Sequence, residues 1–341
     1  MSNKNKTVLI TGITGMVGSH LLDYLISNTE CKIVGICRWR SPLDNIEHLS
    51  KEINSEKRIK LEYADITDVV SLQRVFKKYD FDYISHLAAH SFPKTSFDIP
   101  GEVYNTNVNG TSNLLEVIRE FSPNSKIHIC SSSEVFGRVP PEKVPINEET
   151  KFHPASPYAI SKTGTDLIGQ FYGEAYGMKT IVTRMFTHTG PRRGDVFAES
   201  TFAKQIAMIE KGVLEPTINV GNLDSLRTFA DVRDAVRAYW SLLDSLSVKP
   251  GDYFNIGGNF TCKIGEMLDY LISISSFKSK IKINVDPKRL RPVDADLQVP
   301  DISKFKSISN WTPQYSFEQT MQDLLNYWRE KIENKGNYIQ R

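Results

Sequence analysis

The sequence is poor in cysteine and nearly neutral overall. Its 341 residues include four cysteines, and the net charge at pH 7 is +2. No two cysteines form a CxxC pair, and no cysteine–histidine cluster has the spacing of metal ligands, so we predict reduced cysteines and no metal site. The balanced charge gives no general attraction to nucleic acid or to a membrane surface. We therefore expect no nucleic-acid partner, and any basic residues that matter must act locally.

The sequence also lacks a long apolar run. None of its apolar segments is long enough to cross a bilayer, and the polar start MSNKNK leads into a strand-like run without the apolar core of a signal peptide. We therefore expect a cytoplasmic protein with no membrane association. Hydrophobic residues make up 40% and charged residues 24%, as in ordinary globular proteins, and the length suits one large domain plus a smaller lobe.

Strand-like and helix-like segments alternate through the first half of the chain. Strands are predicted over residues 7–11, 32–37, 59–63, 83–88, 126–131 and 180–185. Helices are predicted over residues 18–27, 69–79, 103–121 and 158–176. This alternation predicts an α/β fold, a doubly wound parallel sheet of the Rossmann type.

The pattern loosens after about Gly190, where the turn-rich, basic stretch GPRRGD begins. We predict a dinucleotide-binding domain over residues 1–190, to which residues 228–258 return with a helix and a strand. A smaller C-terminal substrate-binding lobe is predicted over residues 191–227 and 259–341, ending in a helix over 316–331.

Three glycines with GxxGxxG spacing, Gly12, Gly15 and Gly18, follow the first predicted strand and open the first helix. Glycines let a backbone turn sharply and approach a pyrophosphate, and a helix N-terminus offers free N–H groups and partial positive charge to it. Such a turn also occurs where a strand and a helix merely pack tightly. Its place at the start of a βαβ unit favours dinucleotide binding.

The second predicted strand lacks the carboxylate that commonly binds the ribose of NAD. Arg38 follows it instead, which favours the 2′-phosphate of NADP, although an arginine also stacks on adenine or stays in solvent. NAD(H) and NADP(H) both remain open, with a preference for NADP. Asp65, after the third strand, either accepts a hydrogen bond from adenine or caps the next helix.

The strongest chemical signal joins a serine-rich strand end to a Tyr–Lys pair. Ser132 and Glu134 follow a predicted strand, and Tyr158 and Lys162 lie on one face of a predicted helix. A neighbouring ammonium lowers the pKa of a phenol, normally about 10. The tyrosine can then take a hydroxyl proton while hydride leaves the carbon, and a serine hydroxyl orients the reacting oxygen.

Several segments together resemble the extended short-chain dehydrogenase/reductase family. They are GITGMVG (12–18), ADITD (64–68), HLAA (86–89), NVNGT (107–111), CSSSEVFG (130–137) and YAISK (158–162). The GDP-mannose 4,6-dehydratase and GDP-6-deoxymannose reductase branch is resembled most by AAHSFPKTSFD (88–98), GPRRG (190–194), GNLDSLRTFADVRDAVRAY (221–239) and RPVDADLQVPD (291–301). The resemblance covers nearly the whole chain and implies a tightly held NAD(P), a GDP-sugar substrate and a homodimer.

The resemblance also implies roles for particular residues. Ser132, Tyr158 and Lys162 are expected to be catalytic, and Glu134 is a further candidate. The dinucleotide is expected to contact Gly12, Thr14, Gly15, Met16, Val17, Gly18, Arg38, Asp65, Ile66, Leu87, Ala88, Ala89, Asn107, Tyr158 and Lys162. The nucleotide sugar is expected to contact Ser91, Ser133, Arg193, Val220, Asn222, Arg227 and Arg291.

Two departures from the dehydratase pattern bear on the reaction. The glycine loop has Met16 and Val17 where that group usually has Gln-Asp, and Thr187 stands where it usually has asparagine. We therefore expect an NAD(P)-dependent oxidoreductase at C4 of a GDP-linked, manno-configured hexose or heptose in surface-polysaccharide biosynthesis. A GDP-sugar 4,6-dehydratase using Glu134 as a base is the main alternative, followed by an epimerase. A non-catalytic dinucleotide sensor has no need of the Ser132, Tyr158 and Lys162 set.

Overall fold

The computed structural model describes residue 3, residues 5–290, residues 292–293 and residues 295–334, without the side chain of residue 334. The strands are β1 (Thr7–Thr11), β2 (Lys32–Cys37), β3 (Ile59–Tyr63), β4 (Tyr83–His86), β5 (Lys126–Cys130), β6 (Lys179–Met185), β7 (His188–Thr189), β8 (Thr217–Val220), β9 (Leu226–Asp231), β10 (Asp252–Ile256), β11 (Phe260–Lys263), β12 (Lys282–Val285) and β13 (Leu297–Gln298). The helices are α1 (Met16–Asn28), α2 (Ser50–Ser55), α3 (Val69–Phe76), α4 (Pro100–Tyr104), α5 (Gly110–Phe121), α6 (Pro157–Tyr176), α7 (Ala198–Glu210), α8 (Val232–Asp244), α9 (Ile264–Ser273), α10 (Ser303–Ile308) and α11 (Phe317–Asn334).

Seven parallel strands form the central sheet, in the order β10-β6-β5-β4-β1-β2-β3. The order reverses between β1 and β4, so the loops after these strands diverge and leave a crevice at their carboxyl ends. The predicted α/β fold with a doubly wound parallel sheet is confirmed.

Helices cover both faces of this sheet because its inner strands are apolar on both sides. On one face, Leu9 and Ile127 pack with α3, α5 and α6. On the other face, Val8 and Ile10 pack with α1 and α8. Residues 228–258 supply α8 to that face and β10 to the sheet edge.

A separate hydrophobic core lies outside the central sheet, in a smaller lobe. It contains apolar side chains of α7, α9 and α11, packed on β8, β9 and β11, with Met267 and Leu324 fully buried. Here the structure departs from the predicted lobe of residues 259–341. Phe305 and Trp311 pack instead with Met185 and Phe254 of the central sheet, because residues 302–311 return to that sheet's face.

Two predicted boundaries also differ from the observed elements. The fourth strand ends at His86 because the next two N–H groups, of Leu87 and Ala88, both donate to the Thr11 hydroxyl at 3.1 Å. The helix predicted over 103–121 contains a π-helical segment, Asn105–Asn109, which separates α4 from α5. Such bulges are frequent at functional sites, and this segment contains Asn107.

Candidate active site

The glycine turn lies between β1 and α1, at the crevice of the sheet. Gly12 has a φ of 70°, and a Cβ there would lie 2.9 Å from the backbone of Ala88, so the loops after β1 and β4 touch. A Cβ at Gly18 would lie 2.3 Å from the Gly12 carbonyl oxygen. Gly15 is exposed, and no side chain caps the N-terminus of α1 that it begins. The first turn of α1 contains no acidic residue, which suits an anionic ligand.

Residues of the predicted dinucleotide site follow the next two strands. Arg38 is exposed directly after β2, and Thr14 is tied to the following loop through its carbonyl, which accepts from the Asn45 amide at 2.9 Å. After β3, one carboxylate oxygen of Asp65 accepts from the Thr67 N–H and hydroxyl at 2.9 and 2.7 Å. The helix-capping alternative for Asp65 is wrong, because Asp68 caps α3.

A buried polar network supports the loop after β4. The Thr11 hydroxyl contacts the His86 ring at 2.9 Å, and the other ring nitrogen contacts Thr111 at 3.0 Å. The Asn107 side chain accepts from the His90 N–H at 2.8 Å and donates to the His90 carbonyl at 2.9 Å. Asn107 therefore shapes residues 87–90, with Leu87, Ala88 and Ala89 half-buried at the crevice. Ile66, also predicted to contact the dinucleotide, is buried against Gly110.

The structure brings the predicted catalytic residues together. Ser132 begins a short 3₁₀ turn after β5, and its hydroxyl accepts from the Glu134 N–H at 3.2 Å. Tyr158 lies in the first turn of α6, and its N–H donates to the Ser96 hydroxyl at 3.0 Å. Burial raises the pKa of Tyr158, while a hydrogen bond with Ser132 and the charge of Arg193 oppose that rise.

Lys162 is hydrogen-bonded to the end of β5. Its ammonium donates to the Cys130 carbonyl at 2.7 Å, at the end of β5, and burial lowers its own pKa. Burial raises the pKa of the Tyr158 phenol, and the lowering of that pKa by Lys162 stays a prediction. Lys162 still places a buried amine one helical turn beyond Tyr158.

The remaining predicted residues of this region are Ser133, Glu134, Ser91 and Arg193. Ser133 is buried, and Glu134 is half-buried and interacts electrostatically with Tyr158. Ser91 is exposed beyond β4. Arg193, predicted to contact substrate, pairs with Glu199 at 3.1 Å and interacts electrostatically with Tyr158.

The predicted nucleotide-binding residues lie in the lobe. Val220 ends β8 with its side chain fully buried in the lobe core, and its carbonyl accepts from the Asp286 N–H at 2.9 Å. The Asn222 amide donates to the Ser225 hydroxyl at 3.0 Å. Arg227 is buried on β9 and donates to the Ala295 carbonyl. Arg291, predicted to bind the nucleotide, lies outside the described residues.

Several residues at the centre were not predicted from the sequence. Phe92, from the loop after β4, and Phe197, directly before α7, pack edge to face with ring centroids 5.5 Å apart. Glu199 and His188 also line this region through their interactions with Arg193. A single phenylalanine, histidine or glutamate in a segment without regular periodicity belongs to no recognisable motif. Only the fold therefore shows that these residues lie together.

Two structural features bear on membrane and metal association. Within the described residues, no helix is both long enough and apolar enough to span a membrane. The same residues contain no group of three or more His, Cys, Asp or Glu side chains arranged to hold a metal ion.

Comparisons with known proteins agree with this arrangement. A family model described as GDP-mannose 4,6 dehydratase matches residues 9–324. The chain is 33% identical over 347 residues to GDP-mannose 4,6 dehydratase 2 of Arabidopsis thaliana, covering 98% of this chain and 91% of the relative. It is 32% identical over 346 residues to GDP-mannose 4,6 dehydratase of Drosophila melanogaster, covering 95% and 86%.

Solved structures show the same fold. RMD from Pseudomonas aeruginosa, complexed with NADPH, superposes with a TM-score of 0.79 at 25% identity, covering 96% of this chain and 100% of that chain. UDP-glucose 4-epimerase with UDP-glucose from Thermotoga maritima has a TM-score of 0.81 at 25% identity, covering 96% and 99%. The chain therefore belongs to the GDP-mannose 4,6-dehydratase family, within the extended short-chain dehydrogenases/reductases.

Proposed function

We propose that the chain is a GDP-sugar 4,6-dehydratase that acts on a manno-configured sugar and holds its nicotinamide dinucleotide through the whole reaction. The observation that carries the proposal is the turn from Ser132 to Glu134 beside Tyr158 and Lys162. It places a proton acceptor for a sugar hydroxyl and a carboxylate for a carbon acid at one centre. The dehydratase relatives support this over the net oxidoreductase expected from the sequence.

The residues present fit a nicotinamide dinucleotide. The uncapped start of α1 beside Gly15 offers N–H groups and open space to a pyrophosphate. Asp65 follows β3 and the exposed Arg38 follows β2, and these positions support their contact with the adenosine half. We propose a preference for NADP because Arg38 stands where a ribose-binding carboxylate is otherwise expected. The dinucleotide, when bound, accepts a hydride from the sugar and returns it.

The protein groups then have separate tasks. Tyr158 takes the O4 proton as C4 is oxidised, and Ser132 orients that oxygen by a hydrogen bond. The C4 ketone acidifies the C5–H bond, so Glu134 can remove that proton. The C6 hydroxyl leaves as water with the proton held by Glu134. Tyr158 would then return the O4 proton to C5 as the hydride is returned to C6. The result would be a 4-keto-6-deoxy sugar, with loss of one water and no net change of the dinucleotide.

Glu134 provides the test of this proposal. In Glu134→Gln, we expect C4 oxidation of GDP-mannose to continue while loss of water from C6 falls by about 10²–10⁴-fold, the usual contribution of a proton-transfer group. The exposed Glu142, changed to Gln, is the matched control. Products are followed by mass spectrometry and the dinucleotide by absorbance. Unchanged water loss in Glu134→Gln, or a wild-type product that retains its C6 oxygen, contradicts the proposal.

We also propose that the chain forms a homodimer through α6. Its outward face carries Ile160, Leu167 and Phe171, whose side chains are 48–53% exposed. Exposed apolar side chains on one helix favour burial against a second copy, and a two-fold dimer is the commonest closed assembly. We expect Phe171→Arg to halve the mass measured by light scattering. Tyr63→Arg, at an equally exposed side chain on β3, is the control. A monomeric wild type overturns this proposal.

A further inference from the structure

The loop between β7 and α7 carries two neighbouring arginines with different contacts. Arg192 has a φ of 67° and pairs with Asp23 of α1 at 2.7 Å. A left-handed residue reverses the local chain direction, so adjacent side chains can face different surroundings. Arg193 pairs instead with Glu199, in the first turn of α7, at 3.1 Å. One arginine therefore joins the loop to the dinucleotide-binding domain, and the other is held within the lobe.

Arg193 is restrained on several sides. Its guanidinium carbon lies 3.5 Å from the centroid of the Phe197 ring, and its carbonyl accepts from the Ser200 hydroxyl at 2.8 Å. Phe197 in turn packs on Phe92, from the loop after β4. Glu199 is buried, and its carboxylate lies at a helix N-terminus, where negative charge is stabilised. The pair is thus built into the junction between the two parts of the molecule.

Packing brings Arg193 near the catalytic centre. Phe197, under its guanidinium, packs on Phe92, and Ser96 of the same loop as Phe92 accepts from the Tyr158 N–H at 3.0 Å. The positive charge of Arg193 opposes the rise in the pKa of Tyr158, and it lowers the pKa of His188, which burial brings to about 3. Burial lowers the pKa of Arg193 itself, and Glu199 opposes this. A buried cation without a partner is strongly unfavourable. Without Glu199, we therefore expect the guanidinium to be more stable in water than in this buried position.

We propose that Glu199 is a positioning residue, which holds the Arg193 guanidinium beside Tyr158 so that this cation stabilises the phenolate formed during turnover. The inference rests on the proposed function, since it concerns the tyrosine that exchanges the C4 hydroxyl proton. Glu199 acts through Arg193 and has no task of its own on the substrate. The role of Arg193 is electrostatic, and it complements the buried Lys162.

The direction in which the pKa of Tyr158 changes distinguishes two roles of Glu199. Its carboxylate either holds Arg193 in place or acts only as a negative charge near Tyr158. The titratable and polar groups around Tyr158 come from several elements: Cys130 at the end of β5, Ser132 and Glu134 after it, Tyr239 on α8, Arg193 from the loop, and Lys162 on its own helix. A bystander carboxylate at Glu199 raises the pKa of Tyr158, so its removal lowers that pKa. A carboxylate that holds Arg193 has the opposite effect, because its removal releases the cation and raises the pKa.

The test compares Glu199→Met, Arg193→Met and the double variant, with Glu215→Met as an exposed control. The pH dependence of kcat/KM with GDP-mannose is measured for each folded protein. We expect Glu199→Met to move the Tyr158 limb about one pH unit higher, which is about tenfold in rate below that pKa. The double variant should match Arg193→Met alone, because non-additivity marks action through a shared partner. Glu199→Asp should recover part of the shift.

A shift to lower pH, no shift, or additive effects in the double variant overturn the proposal. The same pKa is followed without substrate from the ¹³Cζ resonance of Tyr158, assigned by its absence in Tyr158→Phe. A wild type without turnover therefore removes the proposed dehydratase activity and leaves this second measurement to decide the role of Glu199.

Discussion

We expect Gly15→Val to prevent dinucleotide binding while leaving the fold nearly as stable as before. The fold itself requires glycine at the two flanking positions, Gly12 and Gly18, far more than at Gly15. Gly12 has a left-handed backbone, and a Cβ at Gly18 would overlap the Gly12 carbonyl. Gly15 has a φ of −73° and a ψ of 170°, which any residue adopts, and the nearest atom to its Cβ is the Gly12 oxygen at 3.3 Å. A Cβ at Gly15 requires only a small shift of the Gly12 oxygen, so the fold demands glycine there much less than at Gly12 or Gly18.

The expected magnitudes follow from that geometry. Valine at the start of α1 should cost about 1 kcal/mol or less of the free energy of unfolding, as for an unfavourable N-cap residue. If the valine side chain separates the pyrophosphate from two backbone N–H groups, the lost charged hydrogen bonds amount to about 3 kcal/mol or more. That corresponds to a Kd at least about 100-fold weaker.

Calorimetry with NADPH and NADH gives the affinities, and urea unfolding of the protein freed of dinucleotide gives the stability. Gly18→Ala is the contrasting variant, with a loss of about 1–3 kcal/mol in stability from overpacking. Retention of full affinity in Gly15→Val would show that the pyrophosphate lies elsewhere. Unfolding of Gly15→Val would show that its glycine serves the fold.

Three further outcomes are expected. Arg38→Ala should reduce the ratio of NADP to NAD affinity at least about tenfold in calorimetry; an unchanged ratio rejects a 2′-phosphate role. Tyr158→Phe should reduce turnover by about 10²–10⁴-fold while dinucleotide affinity stays within a few-fold, and an unchanged rate refutes the catalytic assignment. Burial lowers the pKa of His128 to about 3, so the unfolded state binds the extra proton between pH 6.5 and 3 and stability is lost as pH falls through that window. Urea unfolding of His128→Gln should therefore show a slope against pH that is smaller by up to about 1.4 kcal/mol per pH unit, and an identical slope contradicts this.

The central sheet was predictable because its signals are local. Each inner strand is a short apolar run, and each helix between them has one apolar face, so period and length identify them without knowledge of the fold. The glycine turn and the Tyr158–Lys162 pair have fixed spacing, and the structure places them with Ser132 at the carboxyl edge of the sheet.

The lobe was much less predictable from the sequence because its strands pair with partners that are far apart along the chain. Arg227 lies opposite Cys262 on β11 and Gln298 on β13, and these partners are separated along the chain by loops and helices. The burial of Tyr158, which raises its pKa, was unpredictable for a related reason. Its burial depends on elements from several parts of the sequence, whereas the spacing of Lys162 is visible within one helix.

The most direct test of the proposed dehydratase uses GDP-mannose carrying deuterium at C4. We predict a 4-keto-6-deoxy product that has lost one water, with the deuterium now at C6 and no net change in absorbance of the dinucleotide. This result requires oxidation, water loss and reduction within one active site. A product that retains its C6 oxygen, with stoichiometric conversion of the dinucleotide, would contradict the account and support a net oxidoreductase.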